Sequence, residues 1–104
     1  MRKRRVLIAR SAPASAWLPS VMLLDEPTSA LDPVMAGEVR ALIRSLVHRD
    51  ITVMCVTHDM RFAREIADRI WFLEQGQIVA AAPPEQFFAS ENPRLQTFLS
   101  KILH

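Results

Sequence analysis

The sequence predicts an α/β fold in which a parallel βαβ core is followed by a β-hairpin and C-terminal helices. Three observations predict it. Val21-Met22-Leu23-Leu24 is an unbroken apolar run that stops at Asp25-Glu26-Pro27, and such a run reads as a strand buried on both faces, as in a parallel sheet. Met35, Val39, Leu42, Ile43, Leu46 and Val47 then recur at the spacing of one helix face, with Glu38, Arg40, Arg44 and Arg49 off it. Ile51-Thr52-Val53-Met54-Cys55-Val56-Thr57 is a second apolar, β-branched run, and again reads as a buried strand. A strand, a helix of about 15 residues and a strand form a βαβ unit, which implies parallel strands joined by a right-handed crossover.

The remaining elements follow from local signals. Residues 11–20 carry Pro13 and Pro19 without periodicity and read as a loop. Asp32 suits a helix N-cap, and Pro33 suits the first helical position. Asp59 caps a shorter helix whose buried face is Phe62, Ala63, Ile66 and Ala67. Ile70 to Leu73 and Gln77 to Ala80 flank Glu74-Gln75-Gly76, a hairpin signal with glycine at the turn. Pro83-Pro84-Glu85 opens another short helix. Asn92-Pro93 repeats the cap-plus-proline device ahead of a stripe of Leu95, Phe98, Leu99, Ile102 and Leu103.

With 104 residues, half of them apolar, the chain has the core of one small domain or of a piece of a larger one. The formal charge is +2, yet Arg2, Lys3, Arg4, Arg5 and Arg10 crowd the first ten residues and no acid precedes Asp25. The organisation is a basic, Pro/Ser/Ala-rich segment over 1–20 and an α/β body over 21–104. Four apolar residues, Val6 to Ala9, fall short of the roughly 7–15 of a secretory signal, and no stretch approaches the ~20 of a membrane span. The single cysteine, Cys55, sits in an apolar run and reads as a reduced core residue.

Two clusters carry chemistry. Asp25-Glu26 closes a buried strand, and the carboxyl ends of strands are where α/β sheets bind ligands. One carboxylate there can hold Mg²⁺ that bridges nucleotide phosphates, while its neighbour orients or deprotonates a water. The same pair reads equally well as an acidic strand end at the surface. Thr57-His58-Asp59 follows the second strand, so parallel pairing puts His58 on the same sheet edge. Its imidazole can then hydrogen-bond a phosphate oxygen, although a loop histidine is usually only solvated and Asp59 alone is usually a cap. His48 and His104 have only such ordinary readings.

These clusters, in this order and joined by Ser29-Ala30-Leu31-Asp32, resemble the ATP-binding cassette family of transport ATPases. Val21 to Pro33 is similar to that family's Walker B strand, catalytic glutamate and D-loop, and Val56-Thr57-His58-Asp59 to its switch-histidine loop. The resemblance implies a partial P-loop NTPase-like fold, with 21–104 as the C-terminal part of an ATP-binding domain. It implies ATP and Mg²⁺ as cofactors, Asp25 on the metal, Glu26 as general base and His58 at the γ-phosphate. Ser29 and Asp32 would reach nucleotide across a head-to-tail dimer with a second ATP-binding subunit. Thr57 to Ile70, Gly76 to Val79, Pro84 to Phe88 and Glu91 to Leu103 resemble the polar amino-acid importer subfamily. Arg61 and Ala80-Ala81-Ala82 depart from that pattern. The resemblance implies permease partners and a place at the cytoplasmic face of the membrane, peripheral through those subunits.

What should accompany such a site is not in these 104 residues. The chain has two glycines, Gly37 and Gly76, and neither belongs to a G-x-x-x-x-G-K-[ST] loop, whose backbone N–H groups and lysine cradle phosphates. Arg5-Val6-Leu7-Ile8-Ala9-Arg10 resembles the helix that follows the family's second glycine motif, and Met1-Arg2-Lys3-Arg4 stands in that motif's place. The expectation is therefore a carboxyl-terminal half that does not bind or hydrolyse ATP alone, with an N-terminal half as a further partner and with strand edges left exposed. The alternative is a non-enzymatic binding module that contacts nucleic acid or anionic membrane through Arg2–Arg5. Four cations without interleaved aromatics are a poor nucleic-acid footprint.

Overall fold

The computed structural model describes residues 4–12, 20–49 and 51–102. Expectations for Arg2, Lys3, the Pro13–Pro19 stretch, Leu103 and His104 lie outside the described residues. The elements are β1 (Arg4–Arg10), β2 (Val21–Asp25), α1 (Pro33–Leu46), β3 (Thr52–Val56), α2 (Met60–Ile66), β4 (Arg69–Glu74), β5 (Gln77–Ala82), α3 (Pro84–Phe88) and α4 (Pro93–Ile102). The strands form one mixed sheet in the order β2-β3-β1-β4-β5.

β2 and β3 pair in parallel, with Val21 opposite Thr52 and Asp25 opposite Val56, and α1 connects them. The helix starts where the sequence says it should. Asp32 Oδ1 accepts from the Met35 amide at 2.9 Å and Pro33 follows as the first helical residue. Asp59 and Asn92 repeat the device, accepting from the Phe62 amide at 3.1 Å and the Arg94 amide at 3.0 Å. β4 and β5 form the expected hairpin. Gln75 (φ 53°) and Gly76 (φ 77°) are both left-handed, as a two-residue turn matched to strand twist requires.

Three expectations change. Residues 5–10, similar in sequence to a helix, form strand β1, antiparallel to β3 on one side and β4 on the other. Val6 and Ile8 alternate into the core, β-branched side chains favour the pleated surface, and both neighbours supply backbone partners. Seven residues would gain little from an isolated helix.

β2, expected to be buried on both faces, is an edge strand with Val21 60% and Leu23 74% exposed. Paired residues share a sheet face. Val6, Ile8, Val53, Cys55, Ile70 and Phe72 occupy one face and are packed with Ile43, Phe62, Ile66, Phe87, Leu95 and Phe98 from the helices. Leu23, Met54, Val56, Leu7, Trp71, Leu73 and Ile78 lie on the other by register. None of these seven belongs to the core, so among the described residues the helices cover one face only. Met35 and Leu42, expected on the buried helix face, are exposed. Each sits one position, about 100° of helix, off the stripe of Ala36 and Ile43 that meets the sheet.

Candidate functional site

Parallel pairing of β2 and β3 brings their carboxyl ends together, and the ladder continues one residue past β2: the Glu26 amide donates to the Val56 carbonyl at 2.7 Å. The chain must then turn at once. Glu26 does so with φ 46°, left-handed backbone that a non-glycine residue adopts at a cost of roughly 1–2 kcal/mol. Its carbonyl accepts from the Ser29 amide at 3.2 Å, which closes the turn that leads to Asp32 and α1.

The second wall of the site is the 57–59 loop. Thr57 is buried, its amide donating to the Val6 carbonyl at 3.0 Å and its Oγ1 accepting from the Asp59 amide at 3.0 Å. That clamp leaves His58 between two fixed residues and projecting outward. His58 Nε2 lies 2.9 Å from Glu26 Oε1, and both side chains are partly open to solvent. Glu26, Thr28, Ser29, Thr57, His58 and Asp59 line a cleft of about 80 Å³ between the walls.

The structure therefore brings three of the candidate residues together: Glu26, Ser29 and His58. Asp25 and Asp32 are elsewhere. Asp25 shares the open sheet face with Leu23, its side chain 71% exposed and 3.5 Å from Arg5 Nη1. Asp32 is engaged through Oδ1 as the α1 cap.

Three contacts around the site are marked by no local sequence pattern. Arg40 extends from α1 to Asp59 at 3.4 Å, Arg5 faces Asp25, and Thr28 lines the cleft. The first two contacts join residues distant in sequence, through strand order and helix placement that no local pattern encodes. Thr28 falls within the Val21–Pro33 motif. Behind the site, Cys55 is pushed up to about 11 by burial and secondarily by the negative charge of Asp25. It is a packed, protonated thiol rather than a nucleophile.

Chemically, the arrangement offers a carboxylate and an imidazole in contact across the ends of two parallel strands, with a second carboxylate one residue back on the outer face. Comparison with known proteins gives it a context. Over nearly its whole length the chain is a homologue of the ATP-binding proteins of amino-acid ABC transporters. It is 50% identical over 103 residues to the glutamine transport ATP-binding protein GlnQ of Geobacillus stearothermophilus, a match covering 98% of this chain and 41% of that protein. It is 51% identical over 102 residues to the arginine transport ATP-binding protein ArtM of Bacillus subtilis, covering 97% and 41%. With the general L-amino acid transport ATP-binding protein AapP of Rhizobium johnstonii the figures are 48% over 103 residues, 98% and 39%. The chain thus spans about two fifths of the length of these curated relatives. No protein-family model matches it.

Proposed function

We propose that this chain is the C-terminal half of an ABC transporter ATP-binding protein that couples ATP hydrolysis to amino-acid import, and that it supplies one side of an ATP site it does not complete alone. The observation that carries this reading is the contact of Glu26 with His58 at the ends of two parallel strands. The two residues come from separate motifs of the sequence, and homologues at about half identity are ATP-binding transport proteins.

In this reading β2 is the Walker B strand. Among the described residues no three His, Cys, Asp or Glu side chains form a metal cage. Mg²⁺ is usually held by one or two carboxylates completed by water and phosphate oxygens. Asp25, a lone exposed carboxylate, therefore fits Mg²⁺ that arrives with a nucleotide and does not fit an ion held by protein alone. When bound, Mg²⁺ would neutralise phosphate charge.

Glu26 then takes a proton from the attacking water at Oε1. His58, 2.9 Å away, keeps the carboxylate in register and presents a ring nitrogen to a terminal phosphate oxygen. Ser29, on the cleft rim, and Asp32 at the start of α1 face outward in the turn that a second ATP-binding subunit would meet head to tail. Permease subunits would place the assembly at the cytoplasmic face of the membrane. No described helix is long and apolar enough to cross it.

The nucleic-acid or anionic-membrane alternative gains no support, because Arg4 and Arg5 already face Glu74 at 2.9 Å and Asp25 at 3.5 Å.

The test is an ATPase assay with Mg²⁺. The chain alone shows no turnover. Joined to the part of a relative that it does not match, it hydrolyses ATP, and Glu26→Gln lowers that rate by about 10²–10⁴-fold, the range for a general base. Turnover by the chain alone that Glu26→Gln abolishes would overturn the claim of incompleteness. A complemented rate indifferent to Glu26→Gln would overturn the role of the site.

A further inference from the structure

Glu74, the last residue of β4, has more positive charge around it than one carboxylate requires. Its side chain is only 10% exposed, and a guanidinium meets each of its oxygens. Arg4 Nε lies 2.9 Å from Oε2, and Arg94 Nη1 lies 3.3 Å from Oε1. Each arginine thus uses a single nitrogen. Arg44 and Glu65 show the fuller pairing, with Nε and Nη2 forked onto both carboxylate oxygens. At Glu74 two arginines divide one acid, so one positive charge is in excess. Their other guanidinium nitrogens form no hydrogen bond among the described residues. The surplus faces an open cleft of about 420 Å³, lined by Arg4, Glu74, Gln75, Pro93, Arg94 and Thr97. By register Arg4 stands opposite Glu74 and Leu7 opposite Val56, so the cleft opens at the sheet edge where β2 and β3 also end. It shares no lining residue with the cleft between Glu26 and His58.

We propose that this cleft binds a phosphate group, carried by free phosphate or by a nucleotide, independently of the Glu26–His58 contact. Two cations against one acid leave the cleft attractive to an anion. The shape of the donor set favours phosphate over carboxylate. A planar carboxylate presents one O–C–O edge, which a single guanidinium fork fills. A tetrahedral phosphate presents several O–P–O edges, so guanidinium groups from β1 and α4 can engage it together. The Gln75 amide and the Thr97 hydroxyl, both lining the cleft, add neutral donors for the remaining oxygens. Glu74 is then a positioning residue: it holds one nitrogen of each arginine and leaves the others for the ligand. An ion pair that only braced the hairpin would be served by one forked arginine and would need no cleft. The basic N-terminal run as such is not the recognition element, since Arg4 acts from a mostly buried position, 23% exposed, and α4 supplies its counterpart.

The experiment titrates the full chain with inorganic phosphate by calorimetry at constant ionic strength, so that general screening is held fixed. The expected result is one phosphate bound per chain. Arg94→Gln weakens binding by at least about 10-fold, the loss for one hydrogen bond to a charged group. Arg94→Lys, which keeps the charge without the fork, falls between that variant and the parent. Arg61→Gln, which removes a cation from the exposed surface of α2, changes the affinity by less than about 2-fold, because a distant surface charge is screened. All three variants keep the parent's far-UV dichroism, since Arg61 and Arg94 are both exposed. No binding, binding indifferent to Arg94→Gln, an equal loss with Arg61→Gln, or acetate bound as tightly as phosphate would each overturn the proposal. A parallel titration with ATP in the absence of Mg²⁺ separates the two sources. Arg94-dependent binding tighter than that of phosphate assigns the site to a nucleotide, and weaker binding assigns it to free phosphate.

Discussion

The two faces of this sheet are built from the same residue types and have opposite fates. On one, Val6, Ile8, Val53, Cys55, Ile70 and Phe72 are sealed under four helices. On the other, Leu7, Leu23, Met54, Val56, Trp71 and Leu73 are equally apolar, yet among the described residues they lie outside the core, Leu23 exposed and the rest only partly buried. The difference teaches that an apolar run reports what a strand is suited to bury, not what its own chain brings to bury it. Burial depends on a second layer, and α1 to α4 supply only one.

The largest test of this contrast is a pair of truncations. Phe72 is fully buried and stacks against Phe98 with ring centroids 4.7 Å apart. Phe72→Ala should cost about 3–5 kcal/mol, transfer and cavity terms together. Leu23→Ala on the open face should change stability by no more than about 0.5 kcal/mol. Urea midpoints of the two variants measure the gap. Comparable losses would mean that the open face is packed in the free chain.

Thiol chemistry sharpens the contrast along a single strand. Cys55 and Met54 are adjacent on β3 and point to opposite faces. Burial holds the Cys55 thiol at about 11, against 9.0 for an ordinary cysteine, so near pH 8 its thiolate fraction falls about 100-fold. Alkylation of native Cys55 should be slower by at least that factor than alkylation of the thiol in Met54→Cys/Cys55→Ala. Full denaturant should erase the difference. The sign for stability follows: the raised value in the folded state favours folding below about pH 9, and that contribution is lost as pH climbs towards 11. Equal native rates would show that the covered face is not closed.

How far this arrangement could be read from the residues depends on the range of the interaction involved. Asp32, Asp59 and Asn92 announced α1, α2 and α4 because capping is settled within three residues. Glu74-Gln75-Gly76 announced the hairpin for the same reason. The contact of Glu26 with His58 was legible because parallel pairing of β2 and β3 aligns their carboxyl ends, whereas Asp25, one residue earlier, falls on the opposite face. The strand at 4–10 was not legible, since Arg5 to Arg10 carries both a helix-like resemblance and a β-like alternation. The choice is made by β3 and β4, more than forty residues away. The open face was not legible either, because alternation within Val21 to Leu24 is invisible when every residue is apolar. Arg40 and Arg5 entered the site only through tertiary neighbours.

The smallest expected effect lies where the two faces part company. After Asp25, on the open face, the backbone turns sharply at Glu26 to start the path to α1. That turn is made in left-handed conformation at φ 46° by a residue with a Cβ. Substitution by alanine and by glycine both remove the carboxylate and its contact with His58, so that loss cancels between them. What remains is the backbone. In an ordinary extended or helical setting alanine is the more stable choice by roughly 0.5–1 kcal/mol, because glycine has more freedom to lose on folding. At a left-handed position the Cβ carries a penalty of roughly 1–2 kcal/mol that glycine avoids. The usual order should therefore invert, with Glu26→Gly more stable than Glu26→Ala by up to about 1 kcal/mol in urea denaturation. An alanine variant as stable as the glycine variant would show that Glu26 is not held in this geometry in the free chain.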